Sequence, residues 1–430
     1  MRIANSSGPQ ISQCRCSMIR KAWLDLLLAG VLTGLAGSAW CRQRPQHRES
    51  DQSSPRQRTL ELRRTATRAE SPERGARRTS DVQWSAAARQ ELAAGEKLEA
   101  QGLLNSAIAR YQKALQLEPN WPEAHNALGN AYYQQHKSSL AMLEYLRAIR
   151  LDPDNAKARY DLATLLRAEG NLDGAAKEFQ KAIQLDPNNA GAHNDLGLTY
   201  AQQGKLGPAI AEFRTTVSLQ PGWAIAQDNL GNALAMAGEI DDAMKAYRNT
   251  IALKPDWPQP YNNLGNALRQ SGNLKAAVEQ YQKALQLDPR YAAAHNNLGL
   301  TLQQEGNMDG AIREYELAIE ADPNYATAHS NLAAAFYKKG DWKGAVSEFG
   351  QVVRLKPTDP VAHFNLGLAM KAADEKKAAL LQFRQAQKLD PGNQQYQQAY
   401  EALAKAQGAA EAGAAKSGKA VSEARTDGSK

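Results

Sequence analysis

Nine prolines stand 34 residues apart without an insertion or deletion: Pro119, Pro153, Pro187, Pro221, Pro255, Pro289, Pro323, Pro357 and Pro391. A fixed period of this length marks stacked supersecondary units, none of which can bury its apolar face alone. Counting each proline as position 32 gives nine units: 88–121, 122–155, 156–189, 190–223, 224–257, 258–291, 292–325, 326–359 and 360–393. Each column of this alignment then reports what its position has to do.

Position 20 is alanine in all nine units (Ala107, Ala141, Ala175, Ala209, Ala243, Ala277, Ala311, Ala345 and Ala379). Such monotony predicts two helices approaching too closely for a larger side chain. Position 24 is always Tyr or Phe, from Tyr111 to Phe383, and positions 20, 24, 27 and 28 share one helical face. Leu-Gly recurs at positions 7 and 8, as in Leu128-Gly129 and Leu264-Gly265. Glycine inside a helix costs up to ~1 kcal/mol against alanine, so close packing against the aromatic at position 24 is expected to offset it. A second glycine at position 15 suits a left-handed helix end, and proline at 32 follows the second helix. Each unit therefore reads as helix, tight turn, antiparallel helix and short connection.

This column set resembles the tetratricopeptide repeat across 306 of the 430 residues. The resemblance implies an all-α, right-handed superhelical solenoid of about nine helix-turn-helix units, with the first helices lining a concave face. Position 4, often Trp in that family, is mostly His here. The first unit is degenerate, with Glu91 and Ala94 at positions 4 and 7, and the ninth replaces its turn glycine with Asp374. Atypical end units are expected of caps. Beyond them, Tyr396, Ala399, Tyr400, Leu403 and Ala406 keep helical spacing, as a capping helix would. The solenoid with its cap is thus expected over 84–407 and a disordered tail over 408–430.

Ahead of the repeats, residues 22–40 are almost wholly apolar, follow Arg15, Arg20 and Lys21, and end in Ala36, Gly37, Ser38 and Ala39. Basic, apolar and small-residue regions in that order predict a secretory signal over 1–39, of more ordinary length if translation starts at Met18. An uncleaved membrane anchor and a lipoprotein leader using Cys41 are the rival readings. Asp25 within the stretch, and Arg42, Arg44 and Arg48 beyond it, count against the anchor, and Trp40 against the lipoprotein. Export to the periplasm or cell envelope is the expectation, with membrane anchoring by this segment as the alternative. All three cysteines (Cys14, Cys16 and Cys41) lie in this region, so the repeats hold neither a disulfide nor a thiolate metal site.

The basic charge is equally local. Residues 1–80 hold 15 Lys and Arg against 6 acidic residues, and the rest of the chain holds 37 against 39. The segment 40–83 contains eleven arginines and no lysine and is expected to be a disordered linker. No interleaved aromatics or nucleic-acid module accompany it, so nucleic acid is not an expected partner.

A site is expected on the first helices. Position 6 reads Ala127, Asp161, Asp195, Asn229, Asn263, Asn297, Asn331 and Asn365. Asparagine carries an acceptor and two donors and is a poor helix former, so five consecutive copies in a helix require a reason. A ladder of them can pair with the backbone of an extended peptide largely regardless of its sequence. The stretches NNLGN (262–266) and AHNNLGL (294–300) resemble the repeat arm of the O-linked N-acetylglucosamine transferases. That likeness implies substrate-backbone binding by Asn229, Asn263, Asn297, Asn331 and Asn365. Asn262, Asn266, Asn296, Arg269 and Tyr337 are expected to complete a polar groove.

Five of the seven histidines share position 4: His125, His193, His295, His329 and His363. Equivalent residues of stacked helices lie about 10 Å apart, whereas one zinc gathers ligands at about 2 Å. They are therefore expected to pack rather than bind metal. Aromatics at position 34 (Trp121, Trp223, Trp257, Tyr291 and Tyr325) are expected to staple one unit to the next. Carboxylates on the second helices (Glu144, Glu178, Glu212, Glu279, Glu314 and Glu348) are expected to face solvent. No dinucleotide, phosphate-loop, zincin or nucleophile-elbow motif occurs, and no cofactor is expected. The function that emerges is a non-enzymatic scaffold binding extended segments of partner proteins. The alternative is the substrate-presenting arm of a protein glycosyltransferase system, and open solenoid ends add self-association as a further property.

Overall fold

Eighteen helices of 13 to 15 residues follow one another from Ala86 to Leu389, and a nineteenth spans 394–408. The computed structural model describes residues 83–408. The expected leader (1–39), the Arg-rich linker before residue 83 and the tail beyond 408 lie outside the described residues.

The helices alternate as first and second members of the repeats. In chain order they are α1 (Ala86–Ala100), α2 (Leu104–Leu117), α3 (Pro122–Gln134), α4 (Ser138–Leu151), α5 (Ala156–Ala168), α6 (Leu172–Leu185), α7 (Ala190–Gln202), α8 (Leu206–Leu219), α9 (Ala224–Ala237) and α10 (Ile240–Leu253). The series continues with α11 (Pro258–Gln270), α12 (Leu274–Leu287), α13 (Ala292–Gln304), α14 (Met308–Ala321), α15 (Ala326–Lys339), α16 (Trp342–Leu355), α17 (Pro360–Ala372) and α18 (Lys376–Leu389), then α19 (394–408). No strand occurs among the described residues. The chain divides into two compact units, one ending at Ala246 and the other beginning at Tyr247, within α10.

Inside each unit one packing scheme repeats. All nine alanines of position 20 are fully buried, and so, nearly, are the aromatics of position 24. The glycine of position 8 lies beneath that aromatic. A Cβ added to Gly129 would sit 2.6 Å from Tyr145 Cε1, and one on Gly367 2.7 Å from Phe383 Cδ1. Contacts that close do not occur, so the ring itself is what requires glycine here. Where Ala163 and Ala333 replace it, the partner aromatic is Phe179 or Phe349 rather than tyrosine.

The turn between paired helices closes at position 15. Gly170 takes a φ of 76°, its amide donates to Arg167 O, and the Asn171 amide donates to Leu166 O at 2.8 Å. These bonds satisfy the last carbonyls of α5. His136 and Asp374 hold the same left-handed conformation without being glycine. At position 34, Trp121 is buried and stacks on Trp84, with ring centroids 5.3 Å apart. The staple expected there is thus formed at the front of the first unit. At the other end, Tyr396 and Leu403 of α19 bury against Phe364, Phe383 and Ala386, as expected of a capping helix.

Candidate functional site

First helices of neighbouring repeats adjoin one another as well as the second helix between them: α1–α3, α3–α5, α5–α7 and α7–α9 in the first unit, α11–α13 and α13–α15 in the second. Position 6 lies at these junctions. Its side chains reach back to position 5 of the preceding repeat, 35 residues earlier. Asn229 Nδ2 donates to Asn194 Oδ1 at 3.0 Å, Asn297 Nδ2 to Asn262 Oδ1 at 2.9 Å and Asn331 Nδ2 to Asn296 Oδ1 at 2.8 Å. The aspartates keep the tie with its donor reversed. Asn126 Nδ2 donates to Asp161 Oδ2 at 2.8 Å, and the Tyr160 hydroxyl to Asp195 Oδ2 at 2.7 Å. Burial pushes the Asp161 carboxyl above its ordinary range, against the lowering effect of its bonds from Asn126 and Asn130.

The asparagine column therefore exists and is ordered, and half of each tied amide is committed to the fold. The Oδ1 atoms of Asn229 and Asn331 accept no hydrogen bond among the described residues and are not buried. Asn263 and Asn365 are likewise half-buried. Asn297 is more deeply placed, and its Oδ1 is buried. Asn262 and Asn296 lie inside the junctions as acceptors rather than along an open groove. Asn266 Oδ1 accepts from the Tyr281 hydroxyl at 2.9 Å. Arg269 is buried beside Tyr281, and Tyr337 rests edge-on against Trp342.

A second polar column was not legible as such. Each position-4 histidine presents one ring nitrogen to the side chain at position 23 of its own second helix. The other faces the carbonyl of the proline that ends the preceding repeat. His125 Nδ1 lies 2.6 Å from Glu144 Oε2, and Nε2 lies 2.9 Å from Pro119 O. His193 with Glu212 and Pro187, His295 with Glu314 and Pro289, and His329 with Glu348 and Pro323 repeat this geometry. Arg159 replaces histidine on Glu178 and Pro153 O, Tyr261 reaches only Pro255 O, and Glu91 reverses the charges by accepting from Arg110.

These pairs correct the expectation that the second-helix carboxylates face solvent. Glu144 and Glu178 are buried, Glu212, Glu314 and Glu348 are half-buried, and Glu279 alone is exposed, one position out of register. The histidines do pack at repeat junctions, but as polar latches rather than substitutes for an indole. Columns 4 and 23 change together (Glu with Arg, His with Glu, Arg with Glu, His with Gln), and that pairing is the sequence signal that would have found them. Among the described residues no cluster of His, Cys, Asp or Glu could hold a metal ion, and no helix is long and apolar enough to cross a membrane.

Stacked pairs of helices with one ordered polar face define a helical-repeat scaffold with a surface for other chains. Models of the TPR repeat match residues 95–136, 164–204, 231–268, 265–306, 302–340 and 334–373, and further tetratricopeptide repeat models match 122–155 and 144–177. The chain belongs to the tetratricopeptide repeat family, whose members serve generally as non-catalytic scaffolds for protein–protein interaction. No curated protein matches it significantly. Similar solved structures include MamA, 30% identical over 38% of this chain and 96% of its own, with a TM-score of 0.37. A tetratricopeptide repeat protein from Parabacteroides merdae is 18% identical over 58% of this chain and 98% of its own, with a TM-score of 0.47. YrrB, described as a TPR protein with an unusual peptide-binding site, is 21% identical over 44% and 96%, with a TM-score of 0.35.

Proposed function

We propose that the first-helix face of this scaffold binds extended segments of partner proteins, with the position-6 asparagines accepting hydrogen bonds from peptide N–H groups. The observation that carries this reading is the inter-repeat tie. By holding Nδ2 of Asn229 and Asn331 on the preceding repeat, it fixes each side chain and leaves Oδ1 as an accessible acceptor. An acceptor held in place loses little entropy on binding. Backbone recognition of this kind makes an adaptor tolerant of partner sequence, and other proteins are accordingly the partners. The chain acts in the envelope, a reading that rests on the order of basic, apolar and small residues over 1–39. A leader of that kind weighs against service as the presenting arm of a cytosolic glycosyltransferase.

The test is selection of unstructured peptides from a display library on the full chain, followed by affinity measurements with Asn331→Ala and Asn365→Ala. Losing one or two peptide hydrogen bonds, at about 1 kcal/mol each, weakens binding roughly 5- to 30-fold. Asn365 makes no side-chain bond to the preceding repeat, where position 5 is Ser330. Its replacement is therefore expected to leave thermal stability unchanged. Unaltered affinity in both variants refutes the reading.

A further inference from the structure

The latch histidines stand between two acceptors. A backbone carbonyl cannot donate, so the nitrogen facing it carries the proton: His295 Nε2 toward Pro289 O at 3.1 Å, His125 Nε2 toward Pro119 O at 2.9 Å. The opposite nitrogen then meets a carboxylate oxygen at 2.6 or 2.7 Å in all four His–Glu pairs. That separation requires a proton between the two atoms, and a neutral imidazole beside an ionised glutamate has none left to supply.

We propose that the pairs His125–Glu144, His193–Glu212, His295–Glu314 and His329–Glu348 each hold this additional proton at neutral pH, as imidazolium against carboxylate. Stacking of successive repeats is thereby coupled to proton uptake. The latch joins a first helix to its own second helix and to the end of the preceding repeat. Loss of the proton therefore loosens a repeat junction and not merely a surface pair. Protonation state becomes a control on how firmly neighbouring repeats, and the asparagine acceptors they carry, are held.

The charged surroundings favour the proton. Glu314 on α14 and Asp288 at the end of α12 face His295, and the Asp288 position is occupied by Glu118, Asp186 and Asp322 ahead of the other three histidines. Only at Glu144 does a cation intervene, with Arg147 Nη1 on the other carboxylate oxygen at 2.7 Å. Burial alone would lower the affinity of His295 for its proton. The bonds to Glu314 and Pro289 O and the nearby carboxylates outweigh it, so its pKa lies above the ordinary value. For such a group the stabilisation is complete below the unfolded-state value of about 6.5 and is lost as pH rises through the folded-state value. The fifth histidine provides a control inside the same fold. His363 keeps the carbonyl contact to Pro357, but its Nδ1 faces Gln382, whose amide can turn its NH2 toward an unprotonated nitrogen.

Imidazole nitrogen NMR on the full chain between pH 6 and 9.5 tests this directly. At pH 7.5 the four paired histidines are expected to show both nitrogens protonated, and His363 a single neutral tautomer. Glu314→Gln should fold, since His363–Gln382 is the same pair, and should convert His295 to the His363 pattern. It should also reduce the fall in melting temperature between pH 6 and 9. Neutral single tautomers at the four latches at pH 7.5 in the folded wild-type chain overturn the proposal. So does a pH slope of stability that Glu314→Gln leaves unchanged in a folded variant.

Discussion

Glycine 265 illustrates how one residue sets the spacing between two helices. A Cβ there would lie 2.6 Å from Tyr281 Cε1, and the ring is locked in place by burial and by its hydroxyl bond to Asn266. Gly265→Ala is therefore expected to destabilise the second unit by about 1–3 kcal/mol, read as a lower urea midpoint. Asp161 behaves in the opposite sense. Its folded-state pKa is raised by burial, so its contribution to stability is greatest at low pH and is lost as pH rises through that value. Asp161→Asn, the residue used by five later repeats, keeps an acceptor for Asn126 without the buried charge. It is expected to raise stability at pH 7 by ~1 kcal/mol or less, with the gain vanishing below about pH 4, as thermal melts at the two pH values would show. The alanine, aromatic and glycine columns were legible because each position faces the same constraint nine times. The latches were not, because a histidine column read alone looks amphipathic. Its meaning lies in a partner 19 residues away that covaries with it.

At the scale of elements, the helices and turns follow from glycine and proline placement, and α19 shows what the end of a repeat array requires. Its Tyr396 ring lies 4.9 Å from that of Phe364, and with Leu403 it covers Phe383 and Ala386 of the last repeat. Removing residues 394–430 uncovers an aromatic surface at an open end of the stack. The truncated chain is expected to melt earlier and to associate in a concentration-dependent way, with light scattering as the check. A monomer of unchanged stability would show that α18 can end the array alone. The apolar spacing of Tyr396, Tyr400 and Leu403 made this cap readable. The asparagine column was readable as a column too, but its tie to position 5 of the preceding repeat was not. Which residue a side chain reaches depends on the offset between stacked helices, and no periodicity within one repeat encodes that offset.

Across the whole molecule, the repeats supply near-neutral, similarly built units, while the basic residues and cysteines gather ahead of them. Repeat stability is approximately a sum of unit and junction terms. The polar ties and latches at the junctions therefore bear on both the cohesion of the stack and the order of its binding face. The central claim is that the ordered asparagine acceptors of the first helices receive the backbone of an extended partner. A structure of the full chain with a selected peptide tests it most directly. The account predicts an extended peptide along the first-helix face of a unit, with backbone N–H groups donating to Oδ1 of Asn229 or Asn331. A peptide seated on the second helices, or on the first helices without contact to those oxygens, would contradict it.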